Sequence, residues 1–139
     1  MQIMFTVPGP PRGKGRPRFA RRGNFVKTYT DAATASYEDQ IRFYALQAMG
    51  SSEPLKTALE AFIYVRLPVP QSYSKKRVAA CLSGSEWPCK KPDLDNIVKS
   101  YMDGMNGIVY VDDSQVVEIH TTKVYAATGG VDVLIKEKE

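Results

Sequence analysis

Lys91-Pro92-Asp93-Leu94-Asp95-Asn96-Ile97-Val98-Lys99 is the stretch on which the reading of this chain turns, because two carboxylates two residues apart stand directly before an apolar run of helical period. In extended backbone, side chains two apart leave the same face, roughly 6.5 to 7 Å apart at Cβ, near enough to share a hard cation. Within a helix the same spacing sets them about 200° apart. Pro92 biases Lys91 toward extended conformations, so the spacing predicts that Asp93 and Asp95 lie at a strand end. Ile97, Val98, Tyr101, Met102 and Met105 then recur at three- and four-residue intervals, predicting a helix that begins near Asp95 or Asn96 and stops at Asn106-Gly107. Lys99, four residues after Asp95, falls on the same helical face and can turn its ammonium back toward the acids. A strand over residues 108–111 is expected to deliver Asp112 and Asp113 at its end, and strand pairing can return those carboxylates to the first two.

Outward from this centre, residues 2–7 read as a first strand ended by Pro8-Gly9-Pro10-Pro11, and a basic loop runs from about residue 8 to 28. Tyr37, Ile41, Tyr44 and Ala48 fall at helical spacing, with Thr30 or Asp31 as cap and Gly50 as stop. Residues 57–67 are apolar and β-branched enough for a central strand, bounded by Pro68 and Pro70. Residues 74–82 read as a short basic helix carrying Lys75, Lys76 and Arg77, and a loop anchored by Trp87 leads into the acidic motif. Residues 115–125 make a long strand, Gly129-Gly130 turns, and Val131, Val133 and Ile135 alternate with polar neighbours in a last strand. The expectation is one α+β domain over residues 1–139, a mixed β-sheet with helices packed on it.

The chain has 139 residues, 43% hydrophobic and 24% charged, ordinary for a soluble globular domain. No apolar run approaches the roughly 20 residues of a membrane span, and the N-terminus lacks a signal-peptide core, so a cytoplasmic protein with no membrane partner is expected. Cys81 and Cys89 complete no metal set and read as reduced structural thiols. The net charge of +4 is unevenly spread: Arg12, Lys14, Arg16, Arg18, Arg21, Arg22 and Lys27 precede the first acid, Asp31. Cations without an interspersed acid repel one another, and following a phosphate backbone is the usual physical use of such a run, against the plainer reading of a solvated charged face. Phe19, Phe25 and Tyr29 among them suit base stacking or anchoring of the loop.

The motif resembles the RusA family of junction-resolving endonucleases: a basic run, Asp-Leu-Asp-Asn, a helix carrying a lysine, then Asp-Asp-x-Gln-Val. Here these read Lys90-Lys91-Pro92-Asp93-Leu94-Asp95-Asn96, Lys99, and Asp112-Asp113-Ser114-Gln115-Val116-Val117, within a motif region of residues 90–123. The resemblance implies that Asp93, Asp95 and Asp113 are catalytic metal ligands, with Asp112 the weaker of its pair, and that Lys99 is the essential lysine. It implies Mg²⁺ as cofactor, with Mn²⁺ as a substitute, no organic cofactor, and branched DNA, a four-way junction, as partner. Arg12, Lys14, Arg16, Arg18, Arg21, Arg22, Lys90 and Lys91 are the expected DNA contacts. A two-fold symmetric substrate further suggests a homodimer, with Val116 and Leu134 as interface residues. The long basic N-terminal loop is more like the phage-type branch.

Rival motifs fail. Arg18 stands where a dinucleotide fingerprint after Gly13-Lys14-Gly15 needs its third glycine, and Gly9 to Lys14 lacks P-loop spacing. His120, the sole histidine, lies mid-strand without a nucleophile elbow and reads as a structural or surface residue. A non-catalytic DNA-binding module and a general flap nuclease are the competing functions; retention of the acidic set speaks against the first.

Overall fold

The computed structural model describes residues 1–14, 18–22, 25–29 and 32–139. Among the described residues, six strands and three helices follow in the order β1 (Gln2–Pro8), β2 (Arg18–Arg22), β3 (Phe25–Tyr29), α1 (Ala32–Met49), β4 (Leu59–Pro68), α2 (Lys75–Leu82), α3 (Leu94–Met105), β5 (Val116–Ala126) and β6 (Gly130–Glu137), with a 3-10 turn at Asp113–Gln115. The main sheet is mixed, in the order β1-β6-β4-β5. β6 runs antiparallel to both β1 and β4, whereas β4 and β5 are parallel neighbours. The α+β expectation holds.

Alternation decides which face of the sheet is covered. In β4, Leu59, Ala61, Ile63, Val65 and Leu67 are buried, while Glu60, Phe62, Tyr64 and Arg66 between them are not. Val131, Val133 and Ile135 of β6 and Ile3 and Val7 of β1 join the buried face. Against it lie Tyr37, Ile41, Ala45 and Met49 of α1 and Ile97, Tyr101 and Met105 of α3, in one continuous core. Each fully buried side chain of this size contributes about 1.5–3 kcal/mol, so the three from α3 alone hold that helix firmly in place. The opposite face is open, with Met4 and Tyr64 exposed. α1 packs on β1 and α3, and it ends where Gly50 takes a φ of 56° and donates its N–H to the Leu46 carbonyl at 3.0 Å. α2 lies against β5, where Leu67, Cys81 and Tyr125 form a second small cluster. Both cysteines are free, Cys81 buried and Cys89 exposed, so only the first is structural.

Two expected elements differ. Residues 108–111 form no strand: Tyr110 makes isolated bridges to Leu55 and Asn106. The partner at Leu55 follows Pro54, which has no N–H to extend a ladder, so pairing stops after Leu55 donates to Val109 at 2.8 Å and Val111 donates back at 3.2 Å. The basic N-terminal segment is not all loop. β2 and β3 form an antiparallel hairpin with Arg22 opposite Phe25, for which the sequence signal is Gly23-Asn24 directly before the aromatic and β-branched run Phe25-Val26-Lys27-Thr28-Tyr29. The expected caps Thr30 and Asp31 lie outside the described residues. Among the described residues no helix is long and apolar enough to cross a membrane.

Candidate active site

Asp93 is the N-cap of α3, with φ −68° and ψ 138°, and its carbonyl accepts from the Ile97 N–H at 3.1 Å. Its carboxylate makes no capping bond. Asp95 is in the first helical turn, where the positive end of the helix dipole favours a carboxylate. The expected strand end is thereby corrected. The helix starts at Leu94, one residue earlier than expected, because Leu94 packs its side chain on the core. The pair therefore straddles a boundary, one aspartate extended and the next helical, and the 200° separation of two residues inside a helix does not apply. The preceding Lys91–Pro92 peptide is cis.

Asp112 and Asp113 arrive on a turn rather than a strand end. Gln115 builds that turn: its Oε1 accepts from the Asp112 N–H at 2.9 Å, and its Nε2 donates to the carbonyls of Leu55 and Thr57, both at 2.9 Å. The glutamine of the motif is thus a clamp between the acidic turn and the chain entering β4. Ser114 donates its hydroxyl to the Asp112 carboxylate. The turn packs against α3, and the buried Tyr110 joins them, donating to the Met102 carbonyl at 2.6 Å. Burial raises the pKa of Tyr110, and the negative charges of Asp113, Asp103 and Asp112 raise it further, so the phenol stays a neutral donor. The carboxylates of Asp93, Asp95 and Asp113 have no hydrogen-bond or ion-pair partner among the described residues. No three of the four aspartates bring carboxylate oxygens within 4.8 Å of one another.

Lys99 does not turn back toward Asp95. Its ammonium lies 3.3 Å from Asp103, four residues further along α3. Asp103 also receives Lys14, at 2.6 Å, and Lys14 reaches Glu38 of α1 at 2.8 Å. The predicted DNA contact Lys14 is therefore committed to two carboxylates. Burial disfavours its charge, yet Asp103 and Glu38 outweigh that and raise its pKa. Its backbone N–H donates to the Asn96 carbonyl at 3.0 Å, and a Cβ on Gly13 would come within 3.0 Å of Asn96 Cβ, so the chain before the hairpin lies directly on the first turn of α3. The Arg12 backbone bonds the Tyr37 hydroxyl, which is 2.6 Å from that of Tyr101. This charged network escaped the sequence reading, since Lys14, Glu38 and Asp103 are far apart along the chain.

Arg12, Lys90 and Lys91 are exposed, as a DNA contact requires. Lys90 stands 5.5 Å over the Tyr73 ring and 5.8 Å over that of Tyr125. Arg18, Arg21 and Arg22 lie in β2, and Arg16 lies outside the described residues. The loop before Asp93 is held by Lys123 of β5, which donates to the carbonyls of Lys90 at 2.7 Å and Pro92 at 3.1 Å. Trp87 is 59% exposed and does not anchor it; the buried Pro88 and Lys123 do. His120 is a surface residue on the open face, stacked on Phe62 with centroids 4.7 Å apart. Its Nε2 sits 3.3 Å from Glu60 and 3.1 Å from Glu118, the latter also paired with Lys138. These three could hold a metal ion, but they project from the side of the sheet away from α3.

A sequence model of the family described as "Endodeoxyribonuclease RusA" matches residues 8–136. An uncharacterised protein of Bacillus subtilis (strain 168), YqaN, is 34% identical, with 97% of this chain and 96% of the relative covered. A protein of Lactococcus phage r1t named crossover junction endodeoxyribonuclease rusA is 30% identical over 68% of this chain and 70% of its own length. With the match running from the end of β1 to the last residues of β6, through both acidic pairs and Lys99, the chain belongs to the RusA family of endodeoxyribonucleases.

Proposed function

We propose that this chain is a Mg²⁺-dependent, structure-selective endonuclease that resolves four-way DNA junctions, with Asp93, Asp95 and Asp113 holding the metal, Asp112 in support, and Lys99 acting on the phosphate. The observation that carries the reading is the uncommitted state of Asp93, Asp95 and Asp113, displayed on two elements that pack together. Hard oxygen donors without protein partners, exposed at Asp93 and Asp95 and half-buried at Asp113, fit Mg²⁺, or Mn²⁺ in its place, which is bound through few carboxylates and several waters. The ion when bound supplies an acidified water and neutralises charge on the scissile phosphate.

The chain's own groups do the rest. The aspartates are presented from the N-terminus of α3 and from a turn clamped by Gln115. Lys99 offers an ammonium to the negative charge that grows on the phosphate oxygens. Arg12, Lys90 and Lys91, with Arg16, Arg18, Arg21 and Arg22, follow the DNA backbone and give affinity without reading sequence. A junction needs two cuts on opposed strands, and a single acidic set offers one, so the working form is a C2 homodimer. Val116 is unavailable to that interface because it packs on the core; Leu134, beside the exposed Met4 on the open face, is its interface residue. Sedimentation giving a monomer with junction DNA present would overturn the dimer.

The decisive experiment incubates the protein with synthetic linear, flap and four-way junction DNA, with Mg²⁺ and with chelator. Paired nicks in the junction alone, lost with chelator, are expected. Equal cutting of flaps would turn the reading to a general branched-DNA nuclease, and binding without cutting under Mg²⁺ would turn it to a DNA-binding module.

A further inference from the structure

Lys99 is 59% exposed, and an exposed lysine left to itself spreads over many rotamers, with about 2 kcal/mol of side-chain entropy to lose on being fixed. A group that must meet a reacting phosphate cannot tolerate that spread, since misplacement by about 1 Å can cost a hundredfold in rate. The structure supplies a restraint. Asp95, Lys99 and Asp103 fall four apart on one stripe of α3, and Lys99 pairs with the last of them. Asp103 is itself fixed: its side chain is 20% exposed, and its second oxygen takes the Lys14 ammonium at 2.6 Å. Lys14 in turn is held by Glu38, whose side chain is 10% exposed, and by its backbone bond to Asn96.

Burial opposes ionisation of Asp103, but Lys14 and then Lys99 outweigh it and hold its carboxyl below the usual carboxylate range. It is therefore a full anion at neutral pH, an acceptor that Lys99 never lacks.

We infer that Asp103 is a positioning residue for Lys99, confining its ammonium to the acid-bearing stripe of α3, and that Lys14, by fixing Asp103 from the root of the basic hairpin, ties the placement of Lys99 to the seating of that hairpin. β2 opens four residues after Lys14, so the residue that docks the DNA-binding segment on α3 is the same one that orients the carboxylate behind Lys99. The inference rests on the nuclease reading insofar as it gives Lys99 work to do.

The test is a double-mutant cycle in single-turnover junction cleavage with saturating Mg²⁺. Asp103→Asn, which keeps shape and loses charge, is expected to slow cleavage about tenfold to a hundredfold with junction affinity unchanged. In a Lys99→Ala background the same substitution should slow nothing further, because a residue that acts through Lys99 has no effect once Lys99 is gone. Asp103→Glu should restore part of the rate. Wild-type turnover in Asp103→Asn, or effects of Asp103→Asn and Lys99→Ala that multiply, would overturn the inference in favour of a purely structural ion pair. A wild-type protein that leaves every branched DNA whole would sink the nuclease reading instead. The geometry is then judged without turnover, by the Lys99 ammonium ¹⁵N resonance, which should shift in Asp103→Asn and stay put in Asp112→Asn. An unmoved resonance in Asp103→Asn overturns the positioning role.

Discussion

Replacing Gly104 by alanine should destabilise the protein, although the same change in an open helix would help it. Gly104 lies inside α3, where glycine costs about 1 kcal/mol relative to alanine. Taken alone, that term favours the substitution. The added methyl, however, would meet Ile41 of α1 at 2.7 Å from Cγ2 and 2.9 Å from Cβ, about 1 Å inside the 3.5–4.0 Å optimum for carbon pairs. Ile41 Cβ is fixed to the α1 backbone and Ile41 is fully buried, so relief requires α1 and α3 to separate rather than a side chain to rotate. Overpacking costs about 1–3 kcal/mol, and a clash with a Cβ fixed to buried backbone falls in the upper part of that range, about 2–3, leaving a net loss on the order of 1–2 kcal/mol after the propensity gain. For a chain of this size that is a fall in Tm of roughly 3–6 °C. Calorimetry and urea unfolding of Gly104→Ala against the parent would measure it. An unchanged or raised Tm would refute the claim that close approach at Gly104 sets the seat of the helix that carries Asp95 and Lys99.

Asp93→Asn and Asp113→Asn are each expected to abolish cleavage and leave junction binding intact or tighter, since the amide keeps the shape and loses the charge; either variant cutting at full rate under Mg²⁺ would remove the metal-site assignment. Neutralising Arg16, Arg18, Arg21 and Arg22 together should weaken binding to DNA of every shape and lower the slope of log affinity against log salt by about one unit for each phosphate no longer neutralised; an unchanged slope would make the hairpin a solvated face. Because the folded pKa of Asp103 is depressed, its ion pairs stabilise the fold above the unfolded carboxyl's pKa, about 3.9, and that contribution is lost as pH falls through the lower folded value. Urea midpoints taken from pH 6 down to pH 2 should therefore fall less steeply for Asp103→Asn than for the parent, and parallel curves would contradict it.

What could be read from residue order was whatever depends on neighbours in the chain. The period of Ile97, Tyr101 and Met105 located α3 because one helix face reports itself within a dozen residues, and the alternation of Val131, Val133 and Ile135 located β6 likewise. Residues 108–111 misled because strandness depends on a partner, and the partner turned out to be Leu55 beside a proline. The hairpin had a legible signal in Gly23-Asn24, hidden by reading the arginines as charge alone. At the site, the acids and Lys99 could be named but not their company: Lys14 meets Glu38 and Asp103 only after α1 and α3 have packed. Gln115 looked like a motif letter and proved to be a clamp on Leu55 and Thr57.

The parallel pairing of β4 with β5 has a consequence for when, rather than where, this protein becomes active. Parallel neighbours cannot be joined by a tight turn, and the connection here, residues 69–115, contains α2, α3 and all four aspartates of the motif. The frame is thus laid down on either side of the working parts, and β4 finds its second neighbour, β6, only when residues 130–137 arrive. During synthesis, a ribosome-bound chain that carries all four motif aspartates but lacks β6 has no completed sheet on which to seat them. The seat of the acidic motif is therefore complete only once β6 has joined β4, so the order in which the sheet assembles sets when the site is formed.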